Sequence, residues 1–238
     1  VYAGGGLVGL QGPSALDDGW ALADTFGVDG TGAVSEAEIA ADYSGDAPVP
    51  DEALAAAREA GGPSLVRVAE VPGIEMPPSI AGMGEAVGAV PVRDNVTVAC
   101  VLVDEGETSP GVTLREFGEG RAVWITGRSP EYAFSRLVRS AIFWAAQKET
   151  EAARLDVTGG DGLFTWAFPG AGMIAILSTA DETAEATVHC DPAILGVSGG
   201  SRVSDVVTGE TVGTAADLAE GVTLTAIPNC VRLLRVEQ

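Results

Sequence analysis

Positive charge is what this chain most lacks. Its 238 residues carry 13 lysines and arginines against 34 aspartates and glutamates, and Lys148 is the only lysine. A formal charge of −21 repels the phosphates of nucleic acid and the headgroups of anionic lipid, so neither is a partner. The acids are scattered and form no block, which is the pattern of a solvated surface suited to a salt-rich cytoplasm. Histidine is scarcer still: His189 stands alone beside Cys190. Adjacent residues on a strand point to opposite faces, so these two cannot work as thiol and base, and His189 reads as a strand surface residue. Cys100, Cys190 and Cys230 lie far apart without a C-x-x-C pair, which excludes a zinc site by spacing. An odd number argues against a full disulfide framework. Buried free thiols are expected, with a Cys190–Cys230 bridge left open should their strands be neighbours. The sequence also lacks any run near the roughly 18 apolar residues of a membrane helix, and any charged-then-apolar leader.

What is present begins with VYAGGGLVGLQGP, in which Gly4, Gly6 and Gly9 have the spacing G-x-G-x-x-G. A dinucleotide site needs a strand before those glycines and a helix after them, because the pyrophosphate sits on the helix N-terminus. Here the apolar run Leu7 to Leu10 follows the glycines. The order predicts a helix that ends at the glycines and a buried strand after them. The helix itself is almost entirely missing, so the chain is expected to be the downstream part of a longer protein.

Two domains are expected, residues 1–150 and 151–238. In the first, ALDDGWALADTFGV predicts a short helix that buries Trp20, Ala23 and Phe26 and stops at Gly27. SEAEIAADY has Ser35 and Glu38 at capping-box spacing, and PDEALAAAREAGG predicts an alanine-rich helix. Loops and short strands fill Gly62 to Val90. VTVACVLVD, VTLREF and RAVWITG predict strands. SPEYAFSRLVRSAIFWAAQK predicts the longest helix, with Ser129 as cap, Pro130 in its first turn, and a stripe of Phe134, Leu137, Val138, Ala141, Ile142 and Ala145. The expected fold is an α/β open sheet flanked by helices, flavodoxin-like. In the second domain seven short runs (RLDV, GLFTWAF, GMIAILS, EATVHC, RVSDVV, VTLTAI and VRLLRV) separated by Gly, Pro and Asp turns predict a small all-β sandwich.

Some of these residues carry a resemblance. YAGGGLVGL, LADTFGV, FGEGRAVWITG and the helix through RLVRSAIFWAA resemble the class I glutamine-amidotransferase-like domain appended to glycoside hydrolases, known as the trimerisation domain of family 42 β-galactosidases. VSDVVTGETV and the terminal VTLTAIPNCVRLLRVE are similar to the C-terminal β-domain of such enzymes. The resemblance implies a non-catalytic C-terminal portion of a carbohydrate-active enzyme. It would have an upstream TIM barrel bearing the catalytic carboxylates, a homo-oligomeric and plausibly trimeric assembly, and carbohydrate as a potential ligand. It implies no amidotransferase activity, since Cys100 lies inside a strand and the one histidine lies in the other domain. A stand-alone small-molecule binding or signalling module of the same fold is the alternative.

No catalytic residue, metal ligand or cofactor site is assigned. Acid pairs such as Asp17 with Asp18, or Glu36 with Glu38, are expected by chance in so acidic a chain. The crevice of an open α/β sheet lies beyond the carboxyl ends of its strands, and TGRSPEY leaves such an end before the long helix. Arg128, Ser129 and Tyr132 are therefore the candidate contacts for a sugar or a barrel rim. The competing reading has Arg128 pairing with an acid, Ser129 capping and Tyr132 packing.

Overall fold

The β-branched run Val96–Asp104 forms one strand, as its composition predicts, and it anchors the first of two compact units, Val1–Glu149 and Thr150–Gln238. The computed structural model describes residues 1–10, 22–29, 62–86, 90–91, 95–104 and 107–237, together with Ala55 and Glu59. The expected contributions of Trp20, Ser35, Glu36 and Glu38, and nearly all of the alanine-rich helix, lie outside the described residues.

In unit 1, strands β1 (Gly6–Leu10), β3 (Ser64–Arg67), β4 (Ser79–Ile80), β6 (Val96–Asp104), β7 (Glu107–Phe117) and β8 (Gly120–Ile125) build a six-stranded sheet in the order β1-β8-β7-β6-β3-β4. β2 (Val28–Asp29) and β5 (Val90–Pro91) pair separately. Both faces of β8 are covered. Val123 and Ile125 pack with Phe134, Leu137, Ala141 and Ala145 of helix α2 (Tyr132–Ala145), while Ala122 and Trp124 pack with Phe26 of α1 (Ala23–Phe26). Burial on two sides is why AVWI, residues 122–125, is a continuous apolar run rather than an alternating one.

Several expectations for this unit are corrected. The described sheet is mixed and chiefly antiparallel: β1 and β8 are its one parallel pair, and β6, β7 and β8 pair antiparallel in sequence order, so these strands do not show the parallel pairing through crossover helices expected of a flavodoxin-like fold. Residues 1–5 form a turn rather than a last helical turn: the Gly4 N–H closes on the Val1 carbonyl at 2.9 Å, and β1 begins at Gly6. The long helix starts at Tyr132 with Glu131 as its N-cap, so Ser129 and Pro130 precede it. On that helix Ile142 faces solvent, and Trp144, outside the expected stripe, is buried with Ala141 and Ala145.

Unit 2 has a five-stranded sheet, β10 (Leu163–Phe168), β11 (Met173–Ser178), β16 (Cys230–Val236), β13 (Arg202–Asp205) and β14 (Thr211–Thr214), in that order. A three-stranded sheet runs β15 (Val222–Ala226), β12 (Ala184–Cys190), β9 (Leu155–Thr158). Ile174, Ile176, Val203 and Leu234 of the larger sheet share one core with Val157, Val188, Val222 and Leu224 of the smaller. All seven expected runs are strands, packed as two sheets. Short helices α4 (Pro192–Leu195) and α5 (Ala215–Glu220) were not expected, nor was β14; α3 (Glu149–Ala152) precedes them at the unit boundary. Cys190 and Cys230 stand on different sheets, and all three thiols are free. Cys230 is exposed, which corrects the expectation of a buried thiol there. No helix among the described residues is long and apolar enough to cross a membrane.

Candidate functional site

The segment after β8 leaves the sheet by binding to the chain that follows β4. Backbone groups of Arg128 and Gly84 exchange hydrogen bonds at 2.7 and 3.1 Å, and a side chain at Gly127 would press on the Gly84 carbonyl. Arg128 Nη2 donates to Glu85 Oε1 at 2.7 Å, with both side chains well exposed. Ser129 Oγ donates to the Ala81 carbonyl at 2.8 Å and accepts from the Glu131 N–H at 3.2 Å. Tyr132 is half-buried at the start of α2. The three candidates thus occupy one short stretch, and two of them tie it to residues 81–85. Beside it an open groove runs along α2 past Phe134, Val138 and Ile142 to Leu10 at the end of β1. Leu10 and Ile142 give this groove an exposed apolar surface.

On the neighbouring face of the helix, charge is used for anchoring. Arg136 reaches both carboxylate oxygens of Glu75 at 2.7 and 2.8 Å, and Ser140 Oγ accepts the Glu75 N–H at 2.9 Å. Arg121 lies over the Trp144 ring at 4.6 Å and hydrogen-bonds Glu149, whose carboxyl is held below the usual range by a backbone hydrogen bond and by that guanidinium, against the opposing effect of burial. These contacts hold α2 in place.

The most buried ionised group described is in unit 2, and sequence reading did not single it out. Asp205, at the end of β13, is only 3% exposed. Its Oδ1 accepts from the Val207 and Thr208 N–H groups at 2.8 and 2.9 Å, and its Oδ2 accepts from Arg232 Nε at 2.6 Å. Burial pushes the carboxyl up, but the hydrogen bonds from Thr208, Arg232 and Val207 outweigh it and hold Asp205 below its ordinary range. The signal was legible: D-x-x-T-G in SDVVTG is the pattern of an aspartate that accepts from the N–H groups of its own turn.

Nucleophile chemistry has little support among the described residues. Burial pushes the Cys100 thiol up to about 12, and burial together with the neighbouring Asp191 carboxylate pushes Cys190 up to about 11. Asp17 and Asp18 lie outside the described residues. No group of three or more histidine, cysteine or acidic side chains among the described residues is placed to hold a metal ion.

No family model and no curated protein matches this sequence. Solved structures do. A β-galactosidase from Bacillus circulans sp. alkalophilus aligns with 98% of this chain at 16% identity and a TM-score of 0.53. The likeness is one of fold. A catalytic mutant of Gan42B, a GH42 β-galactosidase from G. stearothermophilus, aligns with 100% of this chain at 19% identity and a TM-score of 0.48. In each case this chain spans only 29% of the other protein's length.

Proposed function

We propose that this chain is the non-catalytic portion of a larger glycoside hydrolase of the family 42 kind. Unit 1 would be the domain that makes subunit contacts, and unit 2 the β-domain that supports the catalytic barrel. One observation carries the reading: the likeness to a β-galactosidase covers 98% of this chain but 29% of that enzyme. Exposed apolar surface supports it. Leu10 and Ile142 in unit 1, and Trp166 and Phe168 on β10 in unit 2, are 43 to 52% exposed, more than a solvated surface requires of such large side chains. Arg128, Ser129 and Tyr132 are the proposed contacts with a sugar or with the rim of the barrel.

The test compares the 238-residue chain with a longer product that includes an upstream barrel of at least about 250 residues. The short chain is expected to leave nitrophenyl β-galactosides intact, and the longer one to cleave them and to run as an oligomer, plausibly a trimer, by light scattering at high salt. Turnover by the short chain that disappears with Asp17→Asn or Asp18→Asn would make it an independent hydrolase. A strictly monomeric longer enzyme would remove the assembly role.

A further inference from the structure

Unit 2 contains a cavity of about 270 Å³ at one end of its sandwich. Its origin is the mismatch between the two sheets. The smaller one ends at the Ala184–Ala226 pair, and the alanines at 186 and 226 are too short to fill the space against Ile176 and Ser178 of the larger. Val207, 80% exposed, and Ile227, 60% exposed, form an apolar rim, and Cys230 lines the same opening.

The polar groups lining this cavity decide what it can take. Asp205 has both oxygens committed to Val207, Thr208 and Arg232, so it offers nothing to a cation. Arg232 is neutralised by Asp205 and also donates to the Thr225 carbonyl at 3.0 Å, so it is a weak lure for an anion. Ser178 differs. Its hydroxyl is buried and has no hydrogen-bond partner in the protein. Such orphans are rare in folded proteins, because an unmade hydrogen bond in a dry site is costly.

We propose that this end of the sandwich is a binding site for a small, neutral, largely apolar molecule carrying one hydrogen-bonding group, which pairs with the Ser178 hydroxyl. An apolar cavity of about 150 Å³ holds a benzene ring, so this one has room for a fused bicyclic ring. The walls supply burial, Ser178 supplies orientation, and the neutralised Asp205–Arg232 pair excludes charge. The proposal stands independently of the parent enzyme's activity.

Indole and indene are matched probes, since they share a shape and only indole carries an N–H. Cys230 is the reporter, because it is the exposed thiol while Cys100 and Cys190 are buried. Ellman's reagent reads its accessibility in the full 238-residue chain. Indole at ten times its dissociation constant is expected to slow Cys230 modification about tenfold. Calorimetry is expected to show indole bound about three- to tenfold more tightly than indene, and Ser178→Ala to erase that preference. Ala226→Phe, checked for folding by circular dichroism, is expected to abolish protection by filling the cavity.

Unchanged Cys230 reactivity at saturating indole would overturn the proposal. So would equal affinity for indole and indene in the unmodified chain, a measurement that needs no variant to fold. Cys230 protection that rises with protein concentration alone would instead assign the opening to a second copy of this chain. Galactose is expected to leave the thiol's reactivity unchanged; protection by it would overturn the apolar assignment.

Discussion

Replacing Asp205 by alanine tests how unit 2 is held together. The carboxylate accepts three hydrogen bonds, two from turn N–H groups and one from Arg232. Bonds to a charged acceptor contribute about 1.5 to 3 kcal/mol each, which sets a ceiling near 5 to 9 kcal/mol if nothing else could satisfy the donors. Water can satisfy some of them. Val207 is exposed, so its turn can hydrate, and Arg232 is 26% exposed, so its guanidinium is left only partly buried without its carboxylate. The expected loss is about 3 kcal/mol at pH 7. Hydrogen exchange of the β11 and β16 amides reads it, because those strands report the opening of unit 2 irrespective of unit 1. Acid supplies the second half of the test. The folded Asp205 carboxyl lies below its ordinary value, so its contribution is whole above the unfolded value near about 4 and is lost as the pH falls through the folded one. The gap between the unmodified chain and Asp205→Ala must therefore shrink below about pH 4. A gap under about 1 kcal/mol at pH 7, or one that persists undiminished into strong acid, would refute the reasoning.

Gly6→Ala places a methyl group 2.4 Å from the Ala145 carbonyl oxygen at the end of α2, and the loss of stability is expected to be about 1 to 3 kcal/mol by urea denaturation. With a formal charge of −21, the melting temperature is expected to rise between dilute buffer and molar salt, as screening weakens repulsion among the carboxylates; calorimetry at several salt concentrations checks this. Arg128→Ala removes an ion pair exposed on both sides and is expected to shift stability by less than about 0.5 kcal/mol. In the longer enzyme the same substitution is expected to change the Michaelis constant or subunit association, and unchanged kinetics and assembly would exclude that loop as a contact.

Unit 2 was the more legible half because its strands alternate. VTLTA in β15 buries Val222, Leu224 and Ala226 and exposes the threonines between them, so period two is visible in the letters alone. Its helices were missed because they are too short to show a period. They announce themselves through their ends instead. Asp191 accepts the Ala193 N–H at 2.8 Å, Pro192 occupies the first turn, and Gly196 closes α4 in a left-handed conformation. Thr214 and Asp217 form a capping box for α5. In both cases the cap residues were present in the sequence, and only a search for periodicity passed over them. The Asp205–Arg232 pair was missed for a different reason. Its partners stand 27 positions apart and become neighbours only through the pairing of β13 with β16, which no local pattern reports.

Unit 1 was misread where glycine and proline carry packing rather than turns. Ser109, Pro110 and Gly111 look like a break before VTLREF, yet β7 runs through them to Phe117. The proline has no N–H to give to a central strand, and the ladder absorbs the defect by shifting register opposite it, between Val98 and Val101 of β6. A side chain at Gly111 would come within 2.3 Å of Leu65 and 2.8 Å of the Leu102 nitrogen, so the glycine lets β7 lie close against its neighbours. The opening G-x-G-x-x-G has the same explanation. Gly6 makes room for the carbonyl that ends α2 on one face of the sheet, and Gly9 for the Phe26 ring on the other, 2.6 Å from where its Cβ would stand. A phosphate cradle would aim the freed space and its N–H groups at solvent. Here the space is filled from both sides by the protein itself, and the N–H groups belong to a strand paired in parallel with β8. Glycine spacing alone cannot tell these cases apart. The neighbours that a side chain would displace can, and at Gly6 and Gly9 they are a helix end and an aromatic ring.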